Sequence, residues 1–189
     1  MHQGKAIIFS APSGAGKTTI VQHLVKKFPQ LGFSISACTR DKRGRTEVDG
    51  QDYYFLSVED FKQKIDRQEF IEWEEVYEGN FYGTLKKEIE RIWADGKHVI
   101  FDVDVKGGIK LKEYFQEKAL AIFVKVPSFE VLAQRLTARN SESSSSLSQR
   151  LYKAKFEMTF EDKFDYTLVN EELAYSLQEA EKVVNNFLK

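Results

Sequence analysis

The sequence predicts an α/β fold: a three-layer α/β/α arrangement with a parallel core sheet, a small mixed or antiparallel insert, and a helical lid. Three observations carry this. The continuous apolar run Ala6-Ile7-Ile8-Phe9 has the pattern of a strand buried on both faces, and His98 to Val103 and Ala119 to Val126, largely apolar, read as two more. Helical periodicity alternates with strands toward both ends of the chain. The middle, about 34–83, carries closely spaced short strands, the signature of an antiparallel insert on the core sheet.

The elements follow in order. Residues 5–10 read as a buried strand. Ile20, Val21, Leu24, Val25 and Phe28 mark a helix over 18–28, ended by Pro29 and Gly32. Phe33 to Ala37 alternates apolar and polar, so it reads as one strand. Residues 41–52 are charged and carry Gly44 and Gly50, an exposed turn region. Tyr53-Tyr54-Phe55 is strand-like. Ser57 caps a helix sharing Val58, Phe61 and Ile65 on one face, and Ser57 with Asp60 resembles a capping box. Phe70 to Val76 is a strand with a turn at Gly79-Asn80. Leu85, Ile89, Ile92 and Trp93 mark a helix closed by Asp95-Gly96. After the strands at 98–103 and 119–126 come helices at about 128–138, 147–160 and 174–188, with a short strand from Tyr166 to Val169. The stretch Asn140 to Ser146 lacks apolar anchors and is expected to be a mobile loop. The flanking Arg135, Arg139 and Arg150 suit a functional lid. One domain results, with its core at about 1–33, 84–134 and 162–189, the insert at about 34–83, and the lid at about 135–161.

Composition narrows the function classes. The chain has 189 residues, enough for one domain with a full core, and 42% hydrophobic and 30% charged residues are ordinary for a globular protein. No apolar run approaches the length of a membrane span, and the N-terminus has no signal-peptide pattern, so no membrane association is expected. A single cysteine, Cys38, excludes an internal disulfide framework and suits a reducing, cytoplasmic setting. A net charge of -1 argues against broad nucleic-acid affinity. The local cluster Arg40, Lys42, Arg43 and Arg45 suits a small polyanion better than a duplex. His2, His23 and His98 have no metal-ligand spacing, and no obligate protein partner is evident.

The segment Ala11-Pro12-Ser13-Gly14-Ala15-Gly16-Lys17-Thr18 follows the first strand and opens the first helix. This is the placement of a phosphate-binding P-loop. Small residues let successive backbone N–H groups point inward at phosphate oxygens, and the helix N-terminus adds free donors and a positive dipole end. Lys17 is placed to reach the β/γ-phosphates and the Thr18 hydroxyl to ligate Mg²⁺, with Thr19 next on the helix. Ala11 stands where the pattern has its first glycine, which matters if that position needs a positive φ. Asp102 ends an apolar strand expected beside the P-loop strand, where P-loop proteins place an acid near the metal.

With the P-loop placed, the remaining segments resemble the guanylate kinase family. The resemblance rests on Ser34-Ile35-Ser36-Ala37-Cys38-Thr39-Arg40 with Arg43, Glu47, Gly50, Asp52, Tyr53 and Phe55. It continues through Phe70-Ile71-Glu72-Trp73, Asn80-Phe81-Tyr82-Gly83-Thr84, Asp102-Val103-Asp104 and Arg135-Leu136 with Arg139, Arg150 and Leu151. These motifs span nearly the whole chain in the family's order. Departures are Ala11, Cys38 in place of a threonine, one extra residue between Arg43 and Glu47, Thr84 where serine is commoner, Lys106 and Asn140. None removes a charge or hydroxyl that the chemistry needs.

The resemblance implies phosphoryl transfer from ATP, with Mg²⁺, to GMP, with dGMP as an accompanying acceptor. Bringing two polyanions into line is the obstacle in that reaction, and cations must offset their repulsion. Lys17 serves the donor. Arg40 and Arg43, three residues apart, can fork the acceptor phosphate, and the family implies hydroxyls from Tyr53 and Tyr82 beside them. Arg135, Arg139 and Arg150 would close over the transferring group. A carboxylate matches guanine's adjacent N1–H and N2–H₂ donors but faces the acceptor N1 of adenine unpaired. Glu72 is the candidate, and the family implies Ser36, Thr84 and Asp104 around it. Asn170, after the last short strand, is assigned near the donor adenine. Plainer readings stand beside these: Glu72 on the solvent face of an alternating strand, Arg40 and Arg43 as a solvated pair, and the lid arginines in helix salt bridges. For the whole chain the other readings are an inactive interaction module of the same fold and a P-loop kinase for sugar phosphates.

Overall fold

A computed structural model describes residues 4–42, 47–138 and 144–189. Arg43 and Arg139 lie outside the described residues, as do 140–143 of the expected loop. The core is a five-stranded parallel sheet built from β1 (Ala6–Ser10), β2 (Leu31–Phe33), β7 (His98–Val103), β8 (Ala119–Lys125) and β9 (Tyr166–Val169), in the order β2-β7-β1-β8-β9. Alternate residues of the central strand feed two cores. Ile7 and Phe9 pack with α1 (Lys17–Lys27), α5 (Phe129–Ala138) and α7 (Leu173–Leu188) on one face. Ala6 and Ile8 pack with α3 (Lys86–Ala94) and α4 (Val105–Phe115) on the other. This is the three-layer arrangement expected for a sheet buried on both sides.

The insert is a second, four-stranded sheet in the order β4-β3-β6-β5, from β3 (Ala37–Cys38), β4 (Tyr54–Phe55), β5 (Phe70–Tyr77) and β6 (Asn80–Leu85). It is mixed, because β3 and β4 run parallel while β3–β6 and β5–β6 run antiparallel. Its own small core is Ala37, Phe61, Phe70, Phe81 and Leu85, closed by α2 (Val58–Asp66). Phe61 and Phe70 stack at 4.3 Å between ring centroids. Ser57 caps α2 as expected, accepting from Asp60 N at 3.0 Å, while the Asp60 carboxylate returns to the Ser57 hydroxyl rather than to its backbone.

Three expectations need correction. The single strand at 33–37 is two strands in two sheets. Ser34 N still bonds Ile100 O of the core, whereas Ser36 O already accepts from Tyr54 N of the insert. Alternation of side chains is the same for one strand or two, so it does not reveal a change of sheet. Helix α6 (Ser144–Met158) begins three residues before 147, so Ser144 to Ser146 belong to a helix and not to the loop. Finally, the expected strands at 98–103 and 119–126 are joined by a helix, α4, that the sequence pattern does not signal. Gly107-Gly108 in its first turns are poor helix formers, and tertiary packing overrides them.

Candidate active site

The P-loop strand ends at Ser10 and the chain curls through two glycines in left-handed conformation, Gly14 (φ 92) and Gly16 (φ 90). Ala11 is not among the positive-φ residues, so its methyl costs no backbone strain. Gly16 is the N-cap of α1 and no side chain caps that helix, which leaves its first-turn N–H groups for a ligand. The loop is braced from behind. Asn170, buried at the end of β9, donates its amide to Ala15 O at 2.7 Å. A Cβ on Gly16 would come within 2.4 Å of that amide nitrogen. Leu136 of α5 lies against Gly14 from the other side.

Parallel pairing of β1 with β7 places Phe9 opposite Asp102, so Asp102 arrives beside the loop. Lys17 Nζ contacts Asp102 Oδ1, and the Thr18 hydroxyl donates to Asp102 Oδ2 at 2.6 Å. Burial draws the Lys17 pKa down to about 8, against the raising influence of Asp104 and Glu157. Arg150 of α6 donates to the Ser13 hydroxyl at 2.7 Å. Arg135 donates to Asn170 O at 3.1 Å, so α5 meets the loop's brace.

At the insert end of the same cleft stands Glu72, 6% exposed. Thr84 donates to its Oε1 at 2.6 Å. Burial pushes the Glu72 pKa up to about 7, with Asp104 adding to the shift and Thr84 opposing it. The solvent-face reading of Glu72 is therefore excluded. Asp104 caps α4, accepting from Gly107 N at 2.8 Å. Gly107 lets the two acids converge: a Cβ there would lie 2.9 Å from Glu72 Oε2 and 3.1 Å from Asp104 Oδ1. Gly108 allows equally close approach to the P-loop strand, where a Cβ would meet Ser10 Oγ at 2.1 Å.

Arg40 is held by Glu47 in a two-bond fork at 2.6 and 2.8 Å, with its guanidinium 4.8 Å from the Tyr53 ring centroid. The Glu47 hydrogen bonds raise the Arg40 pKa further, and burial raises that of Tyr53. Tyr53 and Tyr82 meet edge to face. One open cleft of about 1290 Å³ includes the P-loop, Ser36, Tyr53, Glu72, Tyr82, Asp102, Asp104 and Arg150 in its lining. That exceeds the usual ~300–1,000 Å³ of a single small-ligand site.

The guanylate kinase family model matches residues 3–187. The chain belongs to the guanylate kinase family. It is 46% identical to the guanylate kinase of Bacteroides thetaiotaomicron over 98% of this chain and 90% of that protein. The guanylate kinase of Chlorobium chlorochromatii is also 46% identical, over 98% of this chain and 96% of that protein. Among solved structures, the guanylate kinase of Anaplasma phagocytophilum superposes with a TM-score of 0.77 at 28% identity, covering 98% of this chain and 87% of that one.

The cleft gathers Lys17, Thr18, Asp102 and Arg150 at one end and Ser36, Tyr53, Glu72, Tyr82 and Asp104 toward the other, with Thr84 bonded to Glu72. Asn170 stands behind the P-loop rather than in the cleft lining, and Arg40 faces Glu47. Sequence reasoning missed Lys153 and Glu157 of α6, which also line the cleft. Lys153 Nζ lies 3.5 Å from Asp104 and 3.3 Å from Glu157. Burial raises the pKa of Glu157. Their signal was available, since both fall on the Arg150 face of that helix at spacings of three and seven. Glu47 belongs to a sequence motif, but only the fold pairs it with Arg40.

Proposed function

We propose that this chain transfers the γ-phosphate of ATP to GMP, and to dGMP, giving ADP and the diphosphate, with Mg²⁺ and in the cytoplasm. The reading is carried by one observation: a buried carboxylate, Glu72, shares a single cleft with the P-loop lysine. The family membership and its curated relatives support the same reaction. A sugar-phosphate acceptor would give no reason to bury an acid at this position. An inactive interaction module would give no reason to keep Lys17, Thr18, Asp102 and Arg150 assembled.

The acceptor oxygen of a nucleoside monophosphate is ionised at neutral pH, so no general base is needed. Catalysis is positioning plus charge. Free first-turn N–H groups and Lys17 take the donor phosphates, and Lys17 exchanges its Asp102 contact for them. Arg40, held by Glu47, forks the acceptor phosphate together with Arg43, with Tyr53 and Tyr82 as hydroxyl donors. Ionised Glu72 accepts guanine N1–H and N2–H, while Ser36, Thr84 and Asp104 complete that pocket. Arg150, with Arg135 and Arg139, screens the transferring group from the lid side, and Asn170 serves the donor end through the loop it braces. Among the described residues no group of three or more His, Cys, Asp or Glu is placed to hold a metal. Thr18 and Asp102, whose side-chain oxygens lie 2.6 Å apart, would supply protein oxygens to a magnesium ion carried in with the nucleotide. There it would offset charge on the phosphate oxygens.

The test is an acceptor screen with ATP and Mg²⁺ against GMP, dGMP, AMP, CMP and UMP. Turnover confined to the guanine nucleotides is expected. Equal rates for AMP and GMP would reject the assignment of Glu72.

A further inference from the structure

The chain crosses between core and insert twice, outward at Ser34–Ser36 and back where β6 runs into α3. On the outward crossing Ser34 N belongs to the core sheet and Ser36 O to the insert sheet. The N–H of Ile35, between them, belongs to neither. It is donated at 3.0 Å to Oε1 of Glu88, in the first turn of α3, the helix that follows the return crossing. Glu88 Oε2 accepts from the Tyr54 hydroxyl of the insert at 2.9 Å. Arg91, one turn on, donates to both oxygens at 2.7 and 3.1 Å. Glu88 is 1% exposed, so this is a buried carboxylate with four donors and no direct contact to the cleft.

We propose that Glu88 is a positioning residue for the acceptor site: by tying both crossings to strand β4 it sets where Ser36, Glu72 and Thr84 stand relative to Lys17. Ser36 is one residue from the clamped Ile35 N–H, and its carbonyl bonds Tyr54 N beside the clamped hydroxyl. Thr84 is four residues before Glu88, on the strand that delivers it. Burial opposes the charge on Glu88, but the Arg91 guanidinium, the Ile35 N–H and the Tyr54 hydroxyl outweigh it and hold the carboxyl below its ordinary value. All four donors therefore meet an anion. A merely stabilising ion pair would have no need to reach the backbone of one crossing and the side chain of the insert together. The inference rests on the reading that the insert side takes the acceptor.

The experiment is steady-state kinetics of Glu88→Gln, Tyr54→Phe and the double variant, with ATP and GMP varied in turn. Glu88→Gln turns one acceptor into a donor facing donors. The expected result is a KM for GMP raised about tenfold in Glu88→Gln and about threefold in Tyr54→Phe, with the KM for ATP within about twofold. The double variant is expected to be no worse than Glu88→Gln, since both act through one network. A purely structural role would lower Tm and leave the KM for GMP of the folded protein unchanged. Tyr54→Phe with a KM for GMP within about twofold of wild type, or with both KM values raised alike, overturns the proposal. Should Glu88→Gln not fold, Tyr54→Phe and Arg91→Met carry the test under the same criteria. The acceptor screen on the wild type separates failure here from failure of the functional reading.

Discussion

Thr84 donates its hydroxyl to Glu72 at 2.6 Å from directly across the β5–β6 ladder, and a β-bulge makes them neighbours. Phe70 pairs with Leu85, but the next pair is Glu72 with Thr84, so Ile71 is the extra residue. A regular ladder would set Ile71 opposite Thr84. The bulge lets Phe70 pack into the insert core and Ile71 against the main core, and turns the carboxylate into the cleft.

Replacing that carboxylate by its amide should separate selectivity from folding. In Glu72→Gln an N–H₂ group replaces one of the two acceptors proposed for guanine. We expect kcat/KM for GMP to fall about 100-fold while that for AMP stays level or rises, measured in a coupled assay. Equal losses for both nucleotides would contradict the role.

The same group fixes a pH dependence. Burial pushes the Glu72 pKa up to about 7, and the proposed contact with guanine needs the ionised form. The KM for GMP is expected to climb as the pH falls through about 7, and this limb should vanish in Glu72→Gln. Stability moves the opposite way. The folded pKa lies above the ordinary value of 4.5, so folding favours the protonated acid. Its contribution is most favourable below that value, declines as pH rises toward 7, and is a fixed penalty above it. That penalty is on the order of 3 kcal/mol at most. Thermal melts at pH 8 should therefore give Glu72→Gln a higher Tm than wild type.

Gly107→Ala places a methyl against the ends of Glu72 and Asp104. The fold should tolerate it, because side-chain tips can move and alanine in a helix is about 1 kcal/mol better than glycine. The acceptor site should not. A raised KM for GMP with an unchanged or higher Tm is the expected pair of results.

Asn170→Ala leaves the Ala15 carbonyl without the amide that holds it. If the side chain braces the loop, affinity for inorganic tripolyphosphate should fall along with that for ATP, each by about fivefold to tenfold. If it acts only on the donor adenine, calorimetry should find tripolyphosphate binding unchanged.

The P-loop, the buried strands of the core and the order of the insert motifs are legible in the chain alone. Each is written in consecutive residues, because small residues at fixed spacing and largely apolar runs have one physical reading wherever they occur. How those pieces face each other follows only from folding. It broke 33–37 between two sheets, bulged β5 at Ile71, and formed α4 across Gly107-Gly108 because their missing side chains allow it to lie against Glu72 and Ser10. It also set Arg40 on Glu47 and Glu88 on Ile35 and Tyr54. Those partners are separated by 7 to 53 residues in sequence, and only packing free energy summed over the whole chain brings such groups within hydrogen-bond reach.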